Sequence, residues 1–146
     1  IVFFDARDCQ PKQPPKQPHH SQITFMAWNG SGNRLVTGDT NGVLAVWGAQ
    51  GITRSMNVMT QYRKNGSLDH CVWCNEDVEN TKARGNRGGV DHAPFFYGGD
   101  QGVIYYGDDM GNSMMVQSFG SPIDALLFWF IPSQIIVKEL MPNDIR

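Results

Sequence analysis

Residues 23–48 alternate between apolar and polar positions, break at two glycine-bearing turns and alternate again. Ile23, Phe25 and Ala27 fall on one side of this alternation, and Thr24, Met26 and Trp28 on the other. A period of two predicts a half-buried β-strand. Asn29-Gly30-Ser31-Gly32-Asn33 then supplies residues that tolerate positive φ, and a second strand is expected at 35–37. Asn41-Gly42 is a strong hairpin signal, because both central residues of a type I′ turn need φ > 0. A third strand follows at 43–47. The stretch reads as a three-stranded meander.

The same pattern recurs. Phe4 and Trp47 close similar apolar runs about 43 residues apart, and "LDHCVW" from Leu68 repeats the form of "ITFMAW" from Ile23 about 45 residues on. "FFYGGDQGVIYY" replays 34–46 with Gln101-Gly102 at the turn, 123–129 replays the first strand, and 133–140 is expected as its second. Outer strands are predicted at 53–60 and 113–118. Repetition at this spacing predicts an all-β propeller fragment of about two to three four-stranded blades. Residues 1–20 are expected to end one blade, 21–64 to form the next, 65–120 a further one, and 121–146 to begin another. Residues 75–92 have no apolar period and read as an exposed insertion.

The segment "ARDCQPKQPPKQPHH" after Asp5 carries four prolines, which a central strand does not tolerate but an outer edge does. It reads as a solvated edge, with a polyproline docking motif around Pro14 and Pro15 as the alternative.

Composition narrows the function classes. The 146 residues carry 12 Lys and Arg against 14 Asp and Glu, a net charge of −2, so the basic face of a nucleic-acid binder is not expected. The longest apolar stretch, 125–131, is strand-length, so no membrane insertion is expected. Ile1-Val2-Phe3-Phe4-Asp5 lacks the basic lead and cleavage site of a signal peptide, and it opens within a strand-like run without Met. The chain is therefore expected to be a portion of a longer protein. Three cysteines fit a reducing compartment better than a disulfide framework.

Several motifs invite a chemical reading. His70-Cys71-Val72-Trp73-Cys74 contains a C-x-x-C pair, but Cys9 and His92 are isolated and no second pair completes a zinc site. Packed cysteines beside a tryptophan are expected instead, with no cofactor. Asp108-Asp109 reads as a connector, since calcium would want more oxygens at alternating spacing. The glycines at 38–42 and 98–102 lack the following helix and Gly-Lys-Ser/Thr of a phosphate loop. Ser31 and Ser121 lack a nucleophile elbow. Lys82, Arg84 and Arg87 lie beside Glu76, Asp77 and Glu79 in the insertion, which suits a solvated loop or an electrostatic contact with a protein partner. Trp28, Trp73 and Trp129 recur at the ends of equivalent strands and are expected to pack between blades. No enzyme is expected.

His19 or His20, then Ile23, Trp28, Gly32, Leu35, Thr37-Gly38, Asn41-Gly42, Val43 and Val46-Trp47 sit where the WD40 repeat places its marks, and the chain resembles that family. The resemblance implies a hydrogen-bonded tetrad, here expected from His20, Thr37, Asn41 and Trp47, with Asn41 in place of the usual Asp. In the following blade it puts Gln101 at the Asp place and Gly107 at the Trp place. More narrowly, these stretches resemble the N-terminal propeller of an intraflagellar transport complex A subunit, most nearly the one-hundred-and-forty-kilodalton one. That implies a protein-interaction scaffold in retrograde ciliary transport and cargo entry, in the cytoplasm and the cilium or flagellum. Its implied partners are other subunits of that complex and ciliary cargo adaptors. A vesicle-coat subunit or a ubiquitin-ligase substrate receptor is the alternative.

Overall fold

Gly42 takes φ +79°, and its N–H donates to the Asp39 carbonyl at 3.3 Å. Gly102 repeats the device with φ +68° and a 3.1 Å bond to the Gly99 carbonyl. Glycine enters this region without the Cβ clash that other residues meet. In both turns the next connector packs over the glycine. Lys64 N–H donates to the Gly42 carbonyl at 2.9 Å, and Phe119 N–H to the Gly102 carbonyl at 2.7 Å. A Cβ on either glycine would collide with a backbone carbonyl, of Lys64 or of Ser121.

The computed structural model describes residues 1–50, 52, 55–74, 94–129 and 134–141. Among them run twelve strands: β1 (Phe3–Phe4), β2 (Pro11–Lys12), β3 (Ile23–Trp28), β4 (Arg34–Asp39), β5 (Val43–Gln50), β6 (Ser55–Arg63), β7 (Leu68–Trp73), β8 (Phe95–Gly99), β9 (Val103–Gly107), β10 (Ser113–Ser118), β11 (Ile123–Trp129) and β12 (Gln134–Glu139). Strands β3 to β6 form one antiparallel sheet and β7 to β10 another, each in sequence order. Strands β1 and β2 form a two-stranded ribbon, and so do β11 and β12.

The repeat is visible in the register. The first strand of each set slips by one residue at the same place, between Ile23 and Phe25, between Leu68 and His70, and between Ile123 and Ala125. Such a bulge bends a strand and increases its twist. It also corrects the simple alternation: Phe25 and Ala27 pack into the core between the two four-stranded sheets, and Ile23 does not share that core. A second correction concerns the outer strand expected at 53–60. Strand β6 runs on to Arg63, because Gln61, Tyr62 and Arg63 pair with Ala45, Leu44 and Val43.

Apolar layers separate the sheets. Val36, Leu44, Val46 and Tyr62 of the first sheet meet Leu68, Trp73, Phe95 and Tyr97 of the second. On the far side of the first sheet, Leu35, Ala45 and Trp47 are covered by Ile1 and Phe3, with the Phe3 ring edge-on to Trp47 at 5.7 Å. On the far side of the second, Ile104 meets Ile123, Leu126, Ile135 and Val137. Each fully buried large apolar side chain stabilises the stack by about 1.5–3 kcal/mol. Trp73 is 4% exposed and its indole N–H donates to the Ala27 carbonyl across the seam at 3.0 Å. Trp28 corrects the expectation that these tryptophans are alike: it is 50% exposed. The short β1–β2 ribbon reaches Trp47 but does not cover Trp28. The side chain of Trp129 and residues 75–92 lie outside the described residues.

Candidate functional site

Thr37 and Asp39 lie two apart on β4, so their side chains share a face. Both meet His19. His19 Nδ1 is 2.8 Å from Asp39 Oδ2, and Nε2 is 2.6 Å from Thr37 Oγ1. Trp47 Nε1–H donates to the same Thr37 oxygen at 2.9 Å. The tetrad is therefore His19, Asp39, Thr37 and Trp47. His20 is exposed and lies outside the hydrogen-bonded set. Asn41 is exposed in the turn, and only its backbone N–H joins in, donating to Asp39 Oδ1 at 2.9 Å. The acid stands at the strand end, where alternation aligns it with Thr37, rather than in the turn where the side chain points outward. The Thr37-Gly38-Asp39 spacing carries that signal in the sequence.

A hydroxyl, an imidazole and a carboxylate in this order have the geometry of a nucleophile, a base and its orienter. Their setting is otherwise. Thr37, Asp39 and Trp47 are each 0% exposed, and the Thr37 oxygen is engaged by both His19 and Trp47. Burial alone would raise the Asp39 pKa. The hydrogen bond from His19 and the backbone N–H groups of Val43 and Asn41 outweigh it and hold the carboxyl below its usual value. Asp39 thus caps the β4–β5 turn and anchors the chain before β3 in one step.

The second sheet fills the same positions differently. Leu35 pairs with Trp47 and Phe95 with Gly107, so Gly107 holds the Trp place, as the resemblance implied. By the same register the Asp place falls on Gly99, not Gln101, and the Thr place on Tyr97. The rings of Phe95 and Tyr97 occupy the space over Gly107. Tyr97 stacks between Tyr62 at 6.4 Å and Tyr105 at 5.3 Å, and Lys64 lies 4.6 Å from the Tyr105 ring centre. An aromatic column replaces a polar network.

Asp108 and Asp109 diverge, and each has a task. Asp108 Oδ1 accepts from the N–H groups of Met110 and Asn112 and shapes its own turn. Asp109 Oδ2 accepts from Arg34 Nε of the first sheet at 2.8 Å, with the Asp109 side chain 1% exposed. The Tyr62 hydroxyl donates to the Asp108 carbonyl at 2.7 Å. Nothing in the sequence pairs Arg34 with a residue so far along the chain.

Burial pushes the Cys71 thiol up, and the nearby Cys74 adds to this; burial pushes Cys74 up to about 11. Both are held as thiols, the form that neither attacks nor binds metal. Among the described residues no three His, Cys, Asp or Glu side chains come together to hold an ion, and no helix is long and apolar enough to cross a membrane.

The surface expectations divide. Pro15 is exposed but Pro14 is buried, in a segment whose strand β2 pairs back onto β1. Together they line a groove of about 470 Å³ with Phe4, Trp28 and Met56, and Lys12 pairs with Asp5 at its rim at 3.2 Å. Lys82, Arg84 and Arg87 lie outside the described residues.

The whole chain aligns at 24% identity with "Cell division cycle 20.1, cofactor of APC complex" of Arabidopsis thaliana, a WD40-repeat protein. The fold is that of a WD40 β-propeller fragment. The chain spans 35% of that relative's length. No protein-family profile matches the chain.

Proposed function

We propose that this WD40 propeller segment belongs to a non-catalytic adaptor, a rigid platform on which other proteins assemble. The observation that carries the reading is the burial of Thr37, Asp39 and Trp47: the one hydrogen-bonded hydroxyl–imidazole–carboxylate set among the described residues serves to hold a turn. Exposed apolar side chains instead lie at Trp28 and Phe4 on the groove and at Met114 and Met115 on the outer strand β10. Stacked sheets whose side chains are already committed to one another offer loops and edges for binding, not a reaction centre.

The resemblance of residues 23–47, 68–73 and 95–129 to an intraflagellar transport complex A subunit supports the finer reading. In it the protein works in retrograde ciliary transport and cargo entry, in the cytoplasm and the cilium. The likeness to a cofactor of the APC complex favours a second reading, an adaptor of that kind of assembly. The test is co-precipitation of the tagged parent protein from ciliated cells, probed for subunits of both complexes. Enrichment of intraflagellar transport complex A subunits supports the first reading and enrichment of APC subunits the second. Turnover of a substrate by the purified protein, lost in Thr37→Val, would overturn the non-catalytic reading.

A further inference from the structure

Three Asn-Gly steps occur in the described turns, at Asn29-Gly30, Asn41-Gly42 and Asn65-Gly66. An Asn-Gly step undergoes a reaction that needs only water. The glycine backbone nitrogen attacks the asparagine Cγ, and a C–N bond forms. The Cγ–amide nitrogen bond breaks, and ammonia leaves with the proton from the glycine N–H. Water then opens the succinimide at either carbonyl, giving aspartate or isoaspartate. The side chain must swing onto the next nitrogen, so hydrogen bonds on either group and burial of the amide oppose the step.

The three sites differ in just these respects. Asn29 is 4% exposed. Its amide nitrogen donates to Ser31 Oγ at 3.1 Å and to Asn33 Oδ1 at 2.7 Å, while its oxygen accepts the N–H groups of Asn33 and Arg34, each at 3.0 Å. Asn41 is exposed, but the nitrogen that must attack, Gly42 N, is tied to the Asp39 carbonyl and Gly42 is buried beneath the next connector. Asn65 is exposed, and among the described residues neither its side chain nor the Gly66 N–H has a hydrogen-bond partner. Gly66 takes φ +77° and packs beside the Asp100 side chain of the following sheet's turn.

We infer that Asn65-Gly66 is a site of self-catalysed deamidation, selected by the fold over the other two Asn-Gly steps. The product places a new carboxylate, and for isoaspartate an extra backbone carbon, in the connector that joins the two four-stranded sheets. The new charge stands on the connector that packs beside Asp100, a like charge. The site therefore changes the charge of the turn-bearing end that also presents Asn41 and Gln101, as the protein ages.

The test is peptide mapping by mass spectrometry on the whole chain, incubated folded at neutral to mildly alkaline pH, with isoaspartyl methyltransferase labelling as the second readout. Conversion at Asn65 is expected to outrun Asn29 by about tenfold or more, with Asn41 between them, since the hydrogen bonds that lock Asn29 must break first. Asn65→Gln should remove most of the isoaspartate label. In denaturant the three rates should converge, because only the fold separates them. Equal rates in the folded chain, or faster conversion at Asn29 or Asn41 than at Asn65, would overturn the inference.

Discussion

The indole N–H of Trp73 donates to the main-chain carbonyl of Ala27 at 3.0 Å, and so ties the first strand of one sheet to the first strand of the sheet before it. Main-chain carbonyls in a sheet normally accept from a neighbouring strand. This one accepts from a side chain across an apolar seam, between two sheets that share no strand pairing. Trp73→Phe keeps the ring and removes the donor, so it is expected to lower unfolding stability by about 1–3 kcal/mol. Trp73→Ala should cost about 3–5 kcal/mol. Urea titration followed by circular dichroism checks both, and a Phe variant as stable as the parent would show the bond to be dispensable.

The ion pair between Arg34 and Asp109 gives a sharper test of the same seam. Both side chains are nearly removed from water. Removing one partner of a buried pair costs about 3–5 kcal/mol, whereas replacing both by apolar residues is often close to neutral. Arg34→Met and Asp109→Leu are each expected to be strongly destabilising and the double variant much less so. Additive losses in the double-mutant cycle would mean that the two residues are not coupled.

Asp39 should leave a signature in acid. Its folded pKa lies below the unfolded value of about 3.9. Its contribution to stability is therefore fully present above that value and is lost as pH falls through the folded one. Asp39→Asn is expected to reduce stability near neutrality by about 1–3 kcal/mol and to flatten the acid limb. Asn41→Ala, which keeps the backbone N–H, should have little effect. Stability measured from neutral pH downward on both variants checks this. A larger loss from Asn41→Ala would return the network to the turn residue.

The three cysteines should separate in reactivity. Cys9 is exposed, Cys71 lies in the core cluster, and Cys74 is half-buried. Iodoacetamide is expected to modify Cys9 first and Cys71 last. The rate at Cys74 should climb about tenfold per pH unit toward 11, following its thiolate fraction. Mass spectrometry of the labelled chain reads all three, and rapid labelling of Cys71 would contradict the packed seam.

Much of this architecture is legible in the residue order, for local reasons. Asn41-Gly42 and Gln101-Gly102 mark turns, but not as a type I′ pair: only the glycines take positive φ, and each donates back three residues, to Asp39 or Gly99, so Thr40-Asn41 and Asp100-Gln101 are the central residues. Alternation marks strands because side chains project to opposite faces. The tetrad was legible in kind but not in register. Two adjacent histidines, and an Asp and an Asn two residues apart, look alike in a linear reading. Only the strand face decides that His19 and Asp39 meet Thr37. The Arg34–Asp109 pair and the Trp73–Ala27 bond were not legible, because each joins residues whose proximity exists only once the sheets have stacked. Prolines blunt edges and so suggest exposure, yet Pro14 is buried while Pro15 stays exposed.

The central claim is that strands 23–63 and 68–118 form two separate sheets packed face to face. A nuclear Overhauser spectrum of the labelled chain tests it most directly. The account predicts cross-peaks from the Trp73 indole ring to Ala27 and Phe95. It also predicts none of the close α-proton cross-peaks between β6 and β7 that one continuous antiparallel sheet would give. A ladder of such peaks joining the two strands, with no contact between Trp73 and Ala27, would contradict it.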